Sequence, residues 1–329
     1  MTIFVFNPDT DYALASNSRY YTPTKGVIEM RRHLALLHND FASEGDAILL
    51  LDEFSDRQLK ELPGYAEVIR KGITIITLDR LHLYSSVASK IIPWGWNLNL
   101  QQTLLSAGVK EDLLPDEKEI NRLRELSHRR TCLPFRNRLQ EILPDIRIRS
   151  AKELFTLDEV NDFISRHNEI YIKFPWSSSG RGVMCSRGMR RELLLEWAAG
   201  SLRRQQSVMV EEAYDRAADF ASEWYCENGK ASFAGLSFFH TANDGRYMLN
   251  EEESQEMIFE KIKKYAPRFN TDIINAQKIV LEEFIAPEYN GPAGIDMLAD
   301  KNGEINPCVE INLRYTMGHV ALARFNNRK

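Results

Sequence analysis

A chain of 329 residues that is 43% hydrophobic and 27% charged can bury sizeable cores, so large-scale disorder is excluded and two or three packed units are expected. Lysine and arginine number 42 against 47 aspartate and glutamate, a formal charge of -5, which excludes a global attraction to nucleic acid or to an anionic membrane. The four cysteines at 132, 185, 226 and 308 include no CxxC pair, which excludes a disulfide scaffold and structural zinc and fits a reducing compartment.

The apolar start 3–6 stops at Asn7-Pro8-Asp9, too short for a signal-peptide core, and no later run approaches a membrane span. A soluble, cytoplasmic protein with no nucleic-acid or membrane partner is the expectation. After the 3–6 strand come a helical pattern over 28–37, a strand over 47–51, a helical pattern over 59–70 and a strand over 73–78. Strands separated by helices of this length predict βαβ units and a parallel sheet. Ligands of such sheets bind outside the carboxyl ends of the strands, which draws attention to the loop from Asn7 to Tyr12 and on through Ser16 to Pro23. Asp9, Asp11, Asn17, Arg19, Tyr20 and Tyr21 suit a polar small molecule there, and they equally suit a plain capped turn. The run 91–97 reads as a strand ending in a turn, with Trp94 and Trp96 as packing anchors.

Residues 116–149 interleave Arg122, Arg124, Arg129, Arg130, Arg136, Arg138, Arg147 and Arg149 with acids, which predicts solvated helical faces. Tyr171 to Phe174 then reads as a strand carrying Lys173, and 175–183 as a small, flexible loop whose serines and glycines let backbone N–H groups approach phosphate oxygens. Neither GxxxxGK[ST] nor the third glycine of GxGxxG is present, and a plain hairpin turn fits the same residues. Past a helix over 190–202, an apolar strand runs into Glu211-Glu212, where a strand edge and a carboxylate can receive an adenine, although in isolation a strand ending at two solvated glutamates is the commoner reading. His240 lies among aromatics and reads as a hydrogen-bonded core residue, and 251–264 as a charged surface helix.

In the last segment, side chains two apart share a strand face, so Glu310, Asn312 and Arg314 point one way and Val309, Ile311 and Leu313 the other. Asn302-Gly303 supplies the positive dihedrals of a tight hairpin, which brings Asp296 beside Glu310, with Pro307 bulging the second strand. Two carboxylates and an amide oxygen suit Mg²⁺ completed by a substrate phosphate. Taken alone, a hairpin with a solvated polar face is the commoner explanation of such alternation. An EF-hand is excluded, because Leu298 falls where its first acidic ligand belongs.

Taken in order, the lysine strand with its Ser/Gly loop, the strand ending in Glu211-Glu212, and the hairpin with Glu310-x-Asn312-x-Arg314 resemble the ATP-grasp superfamily from about residue 127 onward. The Glu-x-Asn-x-Arg string is more similar to the carboxylase and carbamoyl-phosphate branches than to the D-alanine ligase branch. The resemblance implies an α/β chain in which an N-terminal α/β domain with a parallel sheet (1–125) precedes an ATP-grasp fold of two α+β subdomains. These are a nucleotide-binding subdomain with the phosphate loop (126–212) and a C-terminal subdomain with the metal site (213–329). By the same resemblance Lys173 contacts the phosphates and serves catalysis. Ser178, Ser179, Gly180, Arg181 and Gly182 form the loop over them. Glu211, Glu212 and the segment Ala213-Tyr214 meet adenine, and Asp219 holds the ribose. Asp296, Glu310 and Asn312 carry Mg²⁺, or Mn²⁺ in its place, and Arg314 faces the transferred phosphate. Relatives have a lysine near Ser127-His128-Arg129-Arg130, and Arg130 is placed in that role.

The implied reaction activates a small-molecule carboxylate as an acyl phosphate for attack by an amine or other acceptor, releasing ADP and phosphate. A homo-oligomer is compatible with it. An ATP-grasp small-molecule kinase and a non-catalytic ATP-binding module use the same residues and are the alternatives.

Overall fold

The computed structural model describes residues 1–177, 180–242 and 246–328. Two compact units form, one on Met1–Arg124 together with residues 326–328 and the other on Glu125–Phe325. Among the described residues no helix is long and apolar enough to cross a membrane.

In the first unit, strands β1 (Thr2–Val5), β2 (Ala47–Leu50), β3 (Thr74–Thr77) and β4 (Lys90–Pro93) form one sheet in the order β3-β2-β1-β4 with all pairs parallel. Alternate residues feed opposite layers. Ile3, Val5, Ala47 and Leu49 pack with Leu100 and Leu104 on one face, while Phe4, Ile48 and Leu50 pack with Leu36 and Val68 on the other. Burial on both faces is why these strands read as continuous apolar runs. The helical pattern over 59–70 is in fact two short helices, Asp56–Lys60 and Tyr65–Arg70. Pro63 cannot donate within a helix, and Gly64 turns the chain at φ +84. Trp94 is a packing anchor, edge-on to Phe6 at 5.2 Å.

The second unit holds two antiparallel sheets. Strands β5 (Ala151–Leu154), β6 (Ile170–Lys173), β7 (Val183–Cys185) and β8 (Val208–Glu212) form the first in the order β5-β8-β6-β7. Helices Leu157–Arg166 and Arg191–Gln205 supply Val160, Phe163, Leu194 and Ala198 to its core. Strands β9 (Arg216–Glu227), β10 (Lys230–Thr241), β11 (Tyr247–Asn250), β12 (Gly291–Asp300) and β13 (Ile305–Asn312) form the second in the order β11-β10-β9-β12-β13. Phe220, Phe238, Met297 and Ile305 point into its core against Ile258, Ile262 and Ile273. The 251–264 segment is therefore not only a surface helix: the helix Gln255–Tyr265 buries Ile258 and Ile262.

The β12–β13 pair has the register expected from the alternation, with Asp296 opposite Glu310 and Gly294 opposite Asn312. Between Asp296/Glu310 and Leu298/Asn306 the second strand uses two residues more than the first, which locates the bulge around Pro307. The turn differs in detail. Only Gly303 takes a positive φ, +79, while Asp300 Oδ1 accepts from the N–H groups of Asn302 at 2.8 Å and Glu304 at 2.9 Å. A side-chain cap thus does the work expected of an Asn-Gly two-residue turn.

Candidate active site

The polar face of the larger sheet is written by register. Asp219 and Glu223 on β9, Asp296 on β12 and Glu310 and Asn312 on β13 stand an even number of residues apart along strands paired as Gly294–Glu223 and Asp296–Glu310. Asp296 is the most strongly perturbed carboxyl of this group. Burial raises it well above the ordinary carboxylate range, and the nearby charges of Glu310 and Glu223 raise it further against the lowering effect of Arg314 and a hydrogen bond from Asn312. Arg314 lies just past the end of β13, and its Nη2 donates to Asn312 Oδ1 at 2.9 Å.

Glu223 is the functional-looking residue that sequence reading missed. It is 1% exposed and accepts from the Ser237 hydroxyl at 2.8 Å and the Thr316 hydroxyl at 2.7 Å, with His319 Nδ1 3.1 Å away. Burial alone would push its carboxyl up, but His319 and the two hydroxyls outweigh it and hold it below the usual range. Two glycines make its room: a Cβ on Gly318 would lie 1.9 Å from Glu223 Oε1, and one on Gly294 2.9 Å from Oε2. The spacing Asp219-x-Ala221-x-Glu223 puts it on the strand face of Asp219 but carries no mark of its burial.

On the smaller sheet, β6 and β8 pair Lys173 with Met209, so Glu211, two residues on, shares the face of Lys173. The two side chains form an ion pair, and Arg136 Nη1 reaches the other oxygen of Glu211 at 3.3 Å. Burial raises the Glu211 carboxyl, and Lys173 and Arg136 more than offset it, leaving it below its ordinary value. A small cavity here is lined by Arg129, Arg136, Lys173 and Glu211. The arginine-rich segment is therefore not all solvated: Arg129 is 6% and Arg136 5% exposed.

Arg129, not its neighbour, reaches Glu310 on β13. Its Nη2 donates to Glu310 Oε1 at 2.7 Å, and its Nη1 to Phe174 O at 2.6 Å and to Ser177 Oγ at 2.7 Å. It thereby ties the root of the Ser/Gly loop to β13. Arg130 is turned elsewhere, toward Glu153 at 3.2 Å and the His128 ring at 2.9 Å, with its side chain 46% exposed. Of the loop itself, Ser178 and Ser179 lie outside the described residues. Gly180 and Gly182 take φ +73 and +74, and a Cβ on Gly182 would meet Ser177 at 2.8 Å, so a side chain is disfavoured there twice over. Arg181 is exposed.

The segment expected to meet adenine is engaged within the chain. The Ala213 N–H donates to Glu169 O at 3.0 Å, and its carbonyl accepts from Arg149, whose guanidinium covers the Tyr214 ring at 4.2 Å. Arg149 also grips Asp300 at 3.1 Å and Glu304 at 2.8 Å. The Glu212 N–H donates to Ser150 O at 2.9 Å. Asp219 accepts from the Thr241 hydroxyl at 2.6 Å and pairs with Arg216 at 3.2 Å; burial nonetheless raises its carboxyl. His240 is not a core residue: its side chain is 47% exposed and hydrogen-bonded to Glu251 at 2.7 Å.

Among the described residues no group of three His, Cys, Asp or Glu could by itself hold a metal ion. Asp296, Glu310 and Asn312 supply three hard oxygen donors, which fits Mg²⁺ whose shell is completed by phosphate and not a closed protein cage.

No protein-family model matches this sequence, and no curated protein matches it. Solved structures do. The biotin carboxylase of Campylobacter jejuni, in complex with a β,γ-ATP ligand, has 12% identity and a TM-score of 0.57 over 98% of this chain and 67% of its own. The biotin carboxylase domain of Hydrogenobacter thermophilus 2-oxoglutarate carboxylase, with MgADP, ADP and bicarbonate, has 10% identity and a TM-score of 0.54 over 100% of this chain and 70% of its own. N5-carboxyaminoimidazole synthetase from Staphylococcus aureus, with ADP, has 12% identity and a TM-score of 0.51 over 96% and 70%. At such identities the likeness is one of fold.

Proposed function

We propose that the chain, which folds like the ATP-grasp enzymes, is an ATP- and Mg²⁺-dependent ligase that activates a small-molecule carboxylate as an acyl phosphate for attack by an amine or another nucleophile. The observation that carries the reading is the convergence of Asp296, Glu310, Asn312 and Arg314 at one end of a sheet face, with Arg129 joining Glu310 to the root of the Ser/Gly loop. The solved structures of this fold with ATP-type ligands support it at the level of the fold.

In this reading Asp296, Glu310 and Asn312 hold Mg²⁺, which when bound neutralises charge on the phosphates. Lys173 and Arg129 bind the phosphates, and the glycines at 180 and 182 let the loop's backbone approach them. Arg314 stabilises charge developing on the transferred phosphoryl group. Such a transfer asks the protein for positioning and charge neutralisation and no nucleophilic side chain. Glu211, held ionised by Lys173 and Arg136, orients Lys173.

Mg²⁺ with ATP is expected to raise the thermal stability of the chain, and screening acids against amines is expected to reveal ADP release. Hydroxylamine added to the productive acid should trap a hydroxamate, since an acyl phosphate gives one and a phosphorylated hydroxyl does not. No ATP-dependent stabilisation under any Mg²⁺ condition would overturn the reading.

A further inference from the structure

One arginine fastens three elements of the second unit together. The connector Ala213-Tyr214-Asp215 leads from β8 of the smaller sheet into β9 of the larger, and the tip 301–304 joins β12 to β13. Arg149, two residues before β5, reaches both. Its Nη1 donates to the Ala213 carbonyl, while its Nη2 donates to Asp300 Oδ2 at 3.1 Å and Glu304 Oε2 at 2.8 Å. The guanidinium covers the Tyr214 ring, and the Arg149 N–H donates to the Tyr214 hydroxyl oxygen at 2.9 Å. The Arg149 carbonyl in turn accepts from Arg136 Nη2 at 3.0 Å, so the backbone that carries this fork is pinned as well.

Burial gives the grip its weight. Ala213, Tyr214 and Asp300 are all buried, and the Arg149 side chain is only 18% exposed. Asp300 is also the residue whose side chain caps the turn between β12 and β13, so Arg149 holds the carboxylate that closes that hairpin. Lys301 makes a second tie, its N–H donating to Asp215 O at 2.9 Å, but its ammonium meets the Asp215 carboxylate at the surface, where such a pair contributes little. A planar guanidinium serves a carbonyl, two carboxylates and a ring face at once, whereas an ammonium is a point charge with no plane to stack. Asp296 and Glu310 stand on the two strands that the tip joins. Arg149 therefore sets where the connector stands relative to the hairpin that carries those carboxylates.

Resting on the reading that Ala213-Tyr214 meets the base of a nucleotide whose phosphates go with the metal, we propose that Arg149 is a positioning residue for base recognition. It holds the connector in the conformation that takes the base, at a fixed span from the hairpin that takes the metal. A connector ordered in advance spares the ligand the cost of ordering it.

Inorganic tripolyphosphate is the discriminating probe, because it carries the phosphates of ATP and no base. Calorimetric titrations of the full chain with each ligand in Mg²⁺ compare the wild type with Arg149→Lys and Glu304→Gln, after far-UV circular dichroism has checked each fold. The wild type should bind ATP more tightly than tripolyphosphate. Arg149→Lys should weaken ATP about tenfold and leave tripolyphosphate within about twofold. Glu304→Gln, at a side chain 38% exposed, frees one arm of the fork and should weaken ATP about two- to threefold with tripolyphosphate unchanged. Unchanged ATP affinity in Arg149→Lys, or equal losses for ATP and tripolyphosphate, would overturn the positioning role and leave the nucleotide reading standing. If Arg149→Lys does not fold, Glu304→Gln decides, and unchanged ATP affinity there overturns the role. A wild type that binds both ligands equally, or neither, overturns the placing of the base on Ala213-Tyr214 and this role with it.

Discussion

Replacing Arg129 by methionine, beside the same change at Arg130, separates two adjacent arginines that the sequence does not distinguish. The Arg129 guanidinium holds Phe174 O, Ser177 Oγ and Glu310 and is 6% exposed. Methionine keeps the aliphatic stem but strands those acceptors. The Glu310 side chain is 23% exposed and can turn to water, so the loss of its pairing is discounted. The buried carbonyl and hydroxyl then each cost about 1–3 kcal/mol, and because they share one donor group the sum is about 3 kcal/mol. For a unit of this size that lowers Tm by about 6–12 °C. Arg130 is 46% exposed in its pair with Glu153, which limits its loss to about 1 kcal/mol and its Tm change to about 4 °C or less. Thermal melts of both variants, followed by far-UV circular dichroism, make the comparison. Equal losses, or a larger one at Arg130, would refute the account of which arginine faces the site.

Glu310→Gln should abolish most of the stabilisation by Mg²⁺ with ATP, which at one hundred times Kd is about 2.7 kcal/mol in a competent site; a wild-type-sized shift by scanning fluorimetry would remove Glu310 from the metal set. Asp296→Asn should raise ligand-free stability at neutral pH. The folded chain raises this carboxyl, so its contribution is fully present below the unfolded carboxylate range and is lost as pH rises through the folded value. The advantage of the asparagine should therefore shrink as pH falls toward about 4, and denaturant melts across pH check the sign. Gly318→Ala should cost about 3 kcal/mol or more, because its Cβ would lie 1.9 Å from Glu223 Oε1 and 2.6 Å from Ser237 Oγ; a urea midpoint near that of the wild type would show that Glu223 can leave its pocket at little cost.

What could be read in the sequence followed local periodicity. Glu310 and Asn312 are separated by one strand period, and the turn at Gly303 fixes how far β13 returns, so the Asp296–Glu310 pairing was legible before any coordinates. Glu223 was not, because β9 reaches the hairpin only through sheet pairing across more than sixty residues, and a glutamate between serine and tryptophan has no local mark of burial. The arginine run misled for a related reason. Alternating charges on a helix look solvated until the tertiary fold turns Arg136 toward Glu211, and the short 3-10 turn Arg129–Thr131 decides which of two neighbours faces inward. The Pro63-Gly64 break was legible but was outweighed by the apolar spacing on either side.

The cationic groups of the candidate site are engaged before any ligand arrives. Lys173 lies on Glu211, Arg129 on Glu310, and Arg314 on the amide oxygen of Asn312. On the proposed reading, nucleotide and metal must therefore exchange partners with the protein and cannot simply fill a cationic hole. A divalent ion held by Asp296 and Glu310 would ease Asp296, whose carboxyl burial raises first and the charge of Glu310 second, and would release Arg129 from Glu310. The freed guanidinium remains tethered to Phe174 and Ser177, at the root of the loop that approaches the phosphates. On that reading each ligand would lower the cost of admitting the other, and linkage would make that help mutual. Glu211 differs from Glu310 in this respect: with Arg136 as a second partner it stays compensated when Lys173 turns toward a phosphate, so the lysine can move without leaving a buried charge alone.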